Sequence, residues 1–320
     1  MKIIDIKQYE NLDCKDIMNR LLLELGKKNK NIVILAADYF GLGALFKKEF
    51  PERSFNFGIA EPNMISAAAG FAAFGKIAVA EIMGFLTTRV TEQIRDDVCY
   101  NNQNVKILTN ASGLNYAPGG VTHQGNEDIT ILRSIPNMVI IQPASPKELV
   151  YAVNEAILEY VGPVYMRISR GIKSEIYEKN NLEFEIGKAI TLKNGNDVTL
   201  IASGLPVKLA LEAENVLSKD GIDARIINMH TIKPIDNEVI VRAAKETHGI
   251  VTIEDGSISG GLGAAVCSAV CEEYPVKVRQ IGIPIDRFTV VGPSEDVLWD
   301  YFGLSVKNIV KEVKNILNKK

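Results

Sequence analysis

The chain has 320 residues, 47% of them hydrophobic and 23% charged, with a formal net charge of −3. That length suits two α/β domains of ordinary size, and the balance is that of a soluble globular protein. A mildly acidic chain with no Lys/Arg run excludes a nucleic-acid-binding arm. No apolar stretch is long enough and free enough of charge or Gly to span a bilayer. Residues 1–11 carry Asp, Lys and Glu in place of an apolar leader, so a cytoplasmic location is expected.

Apolar spacing (Ile17, Leu21, Leu22, Leu25) predicts a helix over 16–27, closed near Gly26. The short apolar run 31–36 reads as a buried parallel strand. An Ala-rich helix follows over 61–74, then a strand over 77–82, a helix over 89–99 and a strand over 105–109. A glycine-rich loop spans 113–125. A strand over 138–142 leads to a helix over 145–158, which opens on the capping pattern Ser-Pro-Lys-Glu. The first half closes on a strand over 164–168.

The charged, irregular stretch 174–195 marks a break, and the turn signal Lys-Asn-Gly-Asn-Asp ends it. A second α/β pattern then begins. Strands are expected over 197–202, 224–228, 250–253 and 276–281, and helices over 206–217, 237–245, 260–273 and 308–317. Strands separated by helices imply mostly parallel sheets covered on both faces. The fold class is therefore α/β in two domains, 1–190 and 191–320.

The four cysteines, Cys14, Cys99, Cys267 and Cys271, form no CxxC and have no His at metal-ligand spacing. They read as inert core thiols of a reducing compartment, and no metal site is expected on this chain.

A few polar residues stand where open α/β sheets bind ligands, beyond the carboxyl ends of strands. Asp38 follows the strand 31–36, where a helix cap is its plainer use. Glu61 opens the Ala-rich helix; on pattern alone it complements the helix dipole, an effect under about 1 kcal/mol. His123 lies in the glycine-rich loop, while His230 and His248 read as packing or surface residues. Arg167 lies near the end of the last strand of the first half and Arg170 just past it. An internal ion pair is one use of Arg167. For Arg89 an ion pair with Glu92 or Asp96 is expected.

Five segments, in order and at matching spacing, resemble the transketolase family. They are Phe55-Asn-Phe-Gly-Ile-Ala-Glu-Pro-Asn-Met64, Val79-Ala-Glu-Ile-Met-Gly-Phe-Leu-Thr-Thr-Arg-Val-Thr-Glu-Gln-Ile-Arg95, Gly119-Gly-Val-Thr-His-Gln-Gly-Asn-Glu-Asp128, Arg133-Ser-Ile-Pro-Asn-Met138 and Gly162-Pro-Val-Tyr-Met-Arg-Ile-Ser-Arg-Gly171. The resemblance runs from about residue 15 to the end. It covers a transketolase pyrimidine-binding domain and C-terminal domain. It also extends to the glycine-rich segment Val251-Thr-Ile-Glu-Asp-Gly-Ser-Ile-Ser-Gly-Gly-Leu-Gly263, read as structural rather than nucleotide-binding.

The resemblance implies that Glu61 shares a proton with N1′ of the aminopyrimidine of thiamine diphosphate, so activating the cofactor. It places Phe85 on the pyrimidine face, with Ile82, Gly58 and Asp38 beside the cofactor. It gives His123 to the donor sugar's oxygens and as a catalytic group. Arg170 is placed at the sugar phosphate, with Arg167 and Lys15 as further substrate contacts. Three departures stand out: Lys15 near a family Arg, Leu42 near a Ser and Gly119 near an Asp.

The family's metal motif, Gly-Asp-Gly with an Asn some thirty residues on, does not occur in the chain. The resemblance therefore implies a split transketolase. An N-terminal partner subunit would carry the diphosphate with Mg²⁺ or Ca²⁺. This chain would dimerise within an α2β2 heterotetramer and take sugar phosphates, with neither nucleic acid nor membrane as partner. A deoxyxylulose-phosphate-synthase-like subunit, a β subunit like that of a 2-oxo acid dehydrogenase, and a non-catalytic paralogue are the alternatives.

Overall fold

The computed structural model describes residues 6–9, 12–177 and 182–318. The reading of residues 1–11 therefore falls largely outside the described residues, as do residues 178–181 of the 174–195 break.

The first half contains strands β1 (Ile32–Ala36), β2 (Ser54–Asn56), β3 (Ile77–Met83), β4 (Val105–Asn110), β5 (Val139–Ile141) and β6 (Val164–Met166). Its helices are α1 (Cys14–Lys28), α2 (Ala44–Glu49), α3 (Glu61–Ala73), α4 (Thr91–Gln93), α5 (Asp128–Arg133) and α6 (Pro146–Asn154). The six strands pair in parallel, in the order β5-β6-β4-β3-β1-β2. Strands buried on both faces need no alternation of polar residues, which is why β1 is uniformly apolar. Ile32 and Ile34 pack on one face against α1 and α6. Val33 and Leu35 point to the other, against Met64, Ile65, Ala68 and Ala72 of α3.

The second half adds β7 (Ile190–Lys193), β8 (Val198–Ala202), β9 (Ala224–Asn228), β10 (Thr231–Lys233), β11 (Ile250–Ser257) and β12 (Val278–Ile283), with α7 (Pro206–Lys219), α8 (Asn237–Glu246), α9 (Leu262–Glu273), α10 (Glu295–Phe302) and α11 (Val306–Leu317). Its sheet runs β12-β11-β8-β9-β7, parallel except for the antiparallel edge strand β7. β10 leaves this half and pairs antiparallel with β5, becoming an edge strand of the first sheet. The two sheets are thus stitched by main chain as well as by side chains.

The expected elements form, with three local differences. The helix expected over 89–99 begins as a tight turn at Gly84–Val90 and ends in wide i→i+5 bonds over Ile94–Cys99. The helix expected over 145–158 likewise widens after Asn154. The short elements α2, α5, β7, β10 and α10 carry too few residues for a periodic signal.

Capping follows the Ser145 cue but not the Gly26 one: Gly26 lies inside α1, which runs on to Lys28 and is capped at Asn29. Asp13 accepts the Asp16 N–H at 2.9 Å, and Ser145 accepts that of Glu148 at 3.3 Å. Glu148 turns back to accept the Ala144 N–H at 2.6 Å. It also accepts from the Tyr177 hydroxyl and from Asn228 Nδ2, both at 2.8 Å.

Cys14 and Cys99 are core thiols. Cys267 is only half-buried and Cys271 is exposed on the outer side of α9, so the core reading holds for two of the four.

Candidate active site

Four neighbouring parallel strands end along one edge of the first sheet, and the polar residues stand just past those ends. Asp38 follows β1, Phe85 follows β3, Asn110 ends β4 and Arg170 follows β6. A cavity of about 330 Å³ opens there. Glu61, Glu81, Asn110 and His123 give it polar groups, and Ile82, Met83, Phe85 and Leu86 give it an apolar wall.

Glu61 is the first residue of α3, with Pro62 behind it at a position that needs no N–H donor. Its side chain is only 6% exposed. Oε2 accepts from Arg89 Nη1 at 3.2 Å, and the guanidinium itself stays mostly in solvent. The expected pairing of Arg89 with Glu92 or Asp96 is therefore corrected. Its partner is Glu61, which the fold brings close across 28 residues of sequence.

Phe85 and His123 pack at 4.8 Å between ring centroids with their planes tilted by 49°, and the Tyr116 ring centre lies 5.4 Å from that of the imidazole. The Thr122 hydroxyl stands 2.9 Å from His123 Nδ1. These contacts hold the half-buried imidazole at the cavity wall. Ile82 lines the same wall at 4% exposure. Gly58 lies at φ +66°, in the left-handed region that favours glycine. Its carbonyl accepts from the Asp38 and Ala60 N–H groups, at 3.0 and 2.8 Å. Asp38 also has positive φ, +71°, and lines the cavity from an exposed turn.

The two arginines separate completely. Arg170 is exposed; its Nε donates to Asn110 Oδ1 at 2.9 Å, and its guanidinium lies 5.5 Å from the Tyr116 ring centre. Arg167 is 1% exposed. It pairs with Asp128 through Nε at 2.8 Å and with Asp255 through Nη1 at 2.5 Å. The substrate contact expected for Arg167 is thus corrected: two carboxylates and the Gly125 carbonyl consume its donors inside the protein. Asp255 belongs to β11, so this ion pair also ties the two halves together.

Lys15 is exposed on α1, outside the cavity lining, and its charge reaches Glu81. Leu42 turns its side chain into the core, at 2% exposure. Gly119 is sterically required, because a Cβ there would stand 2.6 Å from His123 Cβ and from Tyr116 Cδ1.

One residue escaped the motif reading. Glu81 lies inside β3, 7% exposed, and lines the cavity. Its Oε1 accepts from Gly41 and Leu42 at 2.8 and 2.7 Å, and Oε2 from Gly43 at 3.4 Å. Burial pushes its carboxyl up to about 7, against the opposing pull of the Leu42, Gly41 and Gly43 amides and of Lys15. The available signal was a lone charge within an apolar strand, Val79-Ala-Glu-Ile82.

The glycine-rich segment of the second half is structural in geometry. Glu254 accepts the Leu262 and Gly263 N–H groups at 2.7 and 2.8 Å, occupying the donors at the start of α9 that a phosphate would need. His230 is buried against Phe184 at 4.2 Å between ring centres.

Among the described residues no group of three or more His, Cys, Asp or Glu is placed to hold a metal ion. No helix among them is long and apolar enough to cross a membrane.

This arrangement defines a two-domain α/β chain with a cavity between a buried helix-start glutamate and an apolar wall that includes Phe85. The family model of the transketolase pyrimidine-binding domain matches residues 10–173, and that of the transketolase C-terminal domain matches residues 187–309. A Methanocaldococcus jannaschii protein, provisionally named a transketolase C-terminal section, is 44% identical over 93% of this chain and 94% of its own. A 6-deoxy-6-sulfo-D-fructose transketolase subunit of a Clostridium species is 38% identical, over 96% of this chain and 95% of its own. Among solved structures, a split-gene transketolase described as an inactive β4 tetramer superposes with a TM-score of 0.87 at 37% identity, over 97% of this chain and 99% of that one. The chain belongs to the transketolase family.

Proposed function

We propose that this chain is the C-terminal subunit of a thiamine-diphosphate-dependent transketolase that moves a two-carbon ketol unit between sugar phosphates. The observation that carries the reading is the Glu61 carboxylate, nearly buried and opening on the same cavity as Phe85 and His123. That set fits an aminopyrimidine: an acid for a ring nitrogen, an aromatic face beside it, and Ile82 as aliphatic wall. Bound thiamine diphosphate would supply the carbon nucleophile that attacks a ketose carbonyl.

The chain's own residues do the rest. Glu61 holds and shares one proton at the ring nitrogen N1′, with Arg89 fixing its outer oxygen. Phe85, Ile82 and Met83 keep water from the ring. His123 donates to or accepts from donor-sugar oxygens from the loop 113–125. Arg170, free in solvent and braced by Asn110, takes the sugar phosphate. Asp38 and Gly58 shape the cofactor side of the entrance, and Lys15 adds positive charge at the outer rim.

An N-terminal partner subunit would hold the diphosphate and its Mg²⁺ or Ca²⁺, and the working form would be an α2β2 heterotetramer in the cytoplasm. Matches of like length to proteins named as transketolase sections or subunits support this division.

The test is Glu61→Gln in the enzyme assembled from both subunits. Ketol transfer should fall about 10²- to 10⁴-fold, with folding and subunit association unchanged. Full activity in that variant would refute the role of Glu61.

A further inference from the structure

The loop 113–125, which carries His123, is closed at its base by paired Gly113 and Gly125 amides, at 2.8 and 3.1 Å. Its outer part is held by a segment of the other half of the molecule, residues 290–295. The Val290 carbonyl accepts from Gln124 Nε2 at 3.0 Å, one residue from His123. The Gly292 N–H donates to the Ala117 carbonyl at 3.2 Å. Val291 sits over Gly120, whose φ is +63° and whose missing Cβ would lie 2.7 Å from Val291 Cγ2. Glu295, at the start of α10, accepts from Asn115 Nδ2 at 2.8 Å. Asn115 passes the restraint on, since its Oδ1 accepts the Arg170 N–H at 2.9 Å. None of residues 290–295 lines the cavity.

We propose that Glu295 is a positioning residue. From the C-terminal domain it fixes Asn115, and through it the Arg170 backbone and the loop bearing His123, so that this domain sets phosphate binding without touching the ligand. The proposal rests on the reading of Arg170 as the phosphate group's partner. A side-chain amide bonded at both ends has one orientation; released at one end it rotates, and the loop regains conformational freedom that ligand binding must then remove. Burial, with the charge of Asp255, pushes the Glu295 carboxyl up to about 8. Around neutral pH it is therefore largely a neutral acid accepting one bond, and glutamine reproduces that bond.

The experiment uses the full chain with inorganic phosphate as probe, read by NMR titration, together with hydrogen–deuterium exchange over 113–125. The forms compared are wild type, Glu295→Ala, Glu295→Gln, Asn115→Ala and Arg170→Met. Glu295→Ala and Asn115→Ala should each weaken phosphate binding roughly five- to tenfold, the scale of one net hydrogen bond. Glu295→Ala should also speed exchange in the loop, while Glu295→Gln stays near wild type on both readouts. Asn115→Ala cuts the same link from the loop side, so it decides the matter should Glu295→Ala fail to fold. Unchanged binding and exchange in the alanine variants overturns the inference while leaving Arg170 in place. Wild type and Arg170→Met binding phosphate equally overturns the Arg170 reading instead; loop exchange then still judges the link from Glu295.

Discussion

The Glu81 carboxylate accepts the Leu42 amide at 2.7 Å across 39 residues of sequence. Glu81 is a charge set inside a buried parallel strand, and its reward is the turn after β1. The same carboxylate takes the amides of Gly41 and Gly43, and that turn begins at Asp38, on the cavity rim. Position 42 thus acts through its backbone, and its leucine side chain is free to pack in the core.

Glu81→Ala should therefore loosen the turn 38–43. It leaves buried amides without an acceptor, and water entering from the cavity offsets part of that loss. The expected destabilisation is about 2 to 4 kcal/mol, read as a lowered unfolding midpoint in urea. Faster amide exchange should be confined to this turn and its neighbours. Unchanged exchange at 41–43 would show that the carboxylate does not hold the turn.

Arg167 and Arg170 are three residues apart and should respond oppositely to methionine. Arg167→Met strands Asp128 and Asp255 in the interior, a loss of about 3 to 5 kcal/mol. Arg170→Met should leave stability within about 0.5 kcal/mol and raise the KM for a sugar phosphate. Stability data from both variants, with KM from the assembled enzyme, separate the two roles.

Their separation also shows what could be read from the sequence. The parallel strands announced themselves as apolar runs between helices, and the residues past their ends pointed to the ligand edge. Glu61, Phe85 and His123 stood out through their flanking segments, and the cavity does gather all three. Partner choice was not legible in the same way. Arg167 finds Asp255 across 88 residues and Arg89 finds Glu61 across 28, pairings set by how the elements pack. β10 escaped notice because three residues carry no period, and because it crosses from one sheet to the other.

Gly119→Asp tests the glycine-rich loop. Any side chain at 119 meets His123 and Tyr116, and such overpacking costs about 1 to 3 kcal/mol or moves the imidazole. Activity of the assembled enzyme should drop at least about tenfold, the effect of 1.4 kcal/mol. Undiminished activity would mean that the loop adopts another shape in the complex.

Glu148 supplies a pH signature. Burial raises its carboxyl from 4.5 to about 7 in the folded protein, against the Ala144, Tyr177 and Asn228 bonds. Between those values the folded state binds the proton and the unfolded state does not. The contribution is therefore complete below pH 4.5 and is lost as pH rises through 7. Glu148→Gln should flatten that part of the stability–pH profile relative to wild type. Parallel profiles for the two proteins would contradict the assignment.

Division of the active site between two polypeptides is tested most directly by a ketol-transfer assay with thiamine diphosphate and Mg²⁺. This chain should be inert by itself and should turn over a ketose phosphate once its N-terminal partner is added, the two then eluting together. Turnover by this chain alone would contradict the division; release of CO₂ from pyruvate by the pair in place of ketol transfer would leave the division standing and contradict the transketolase reading.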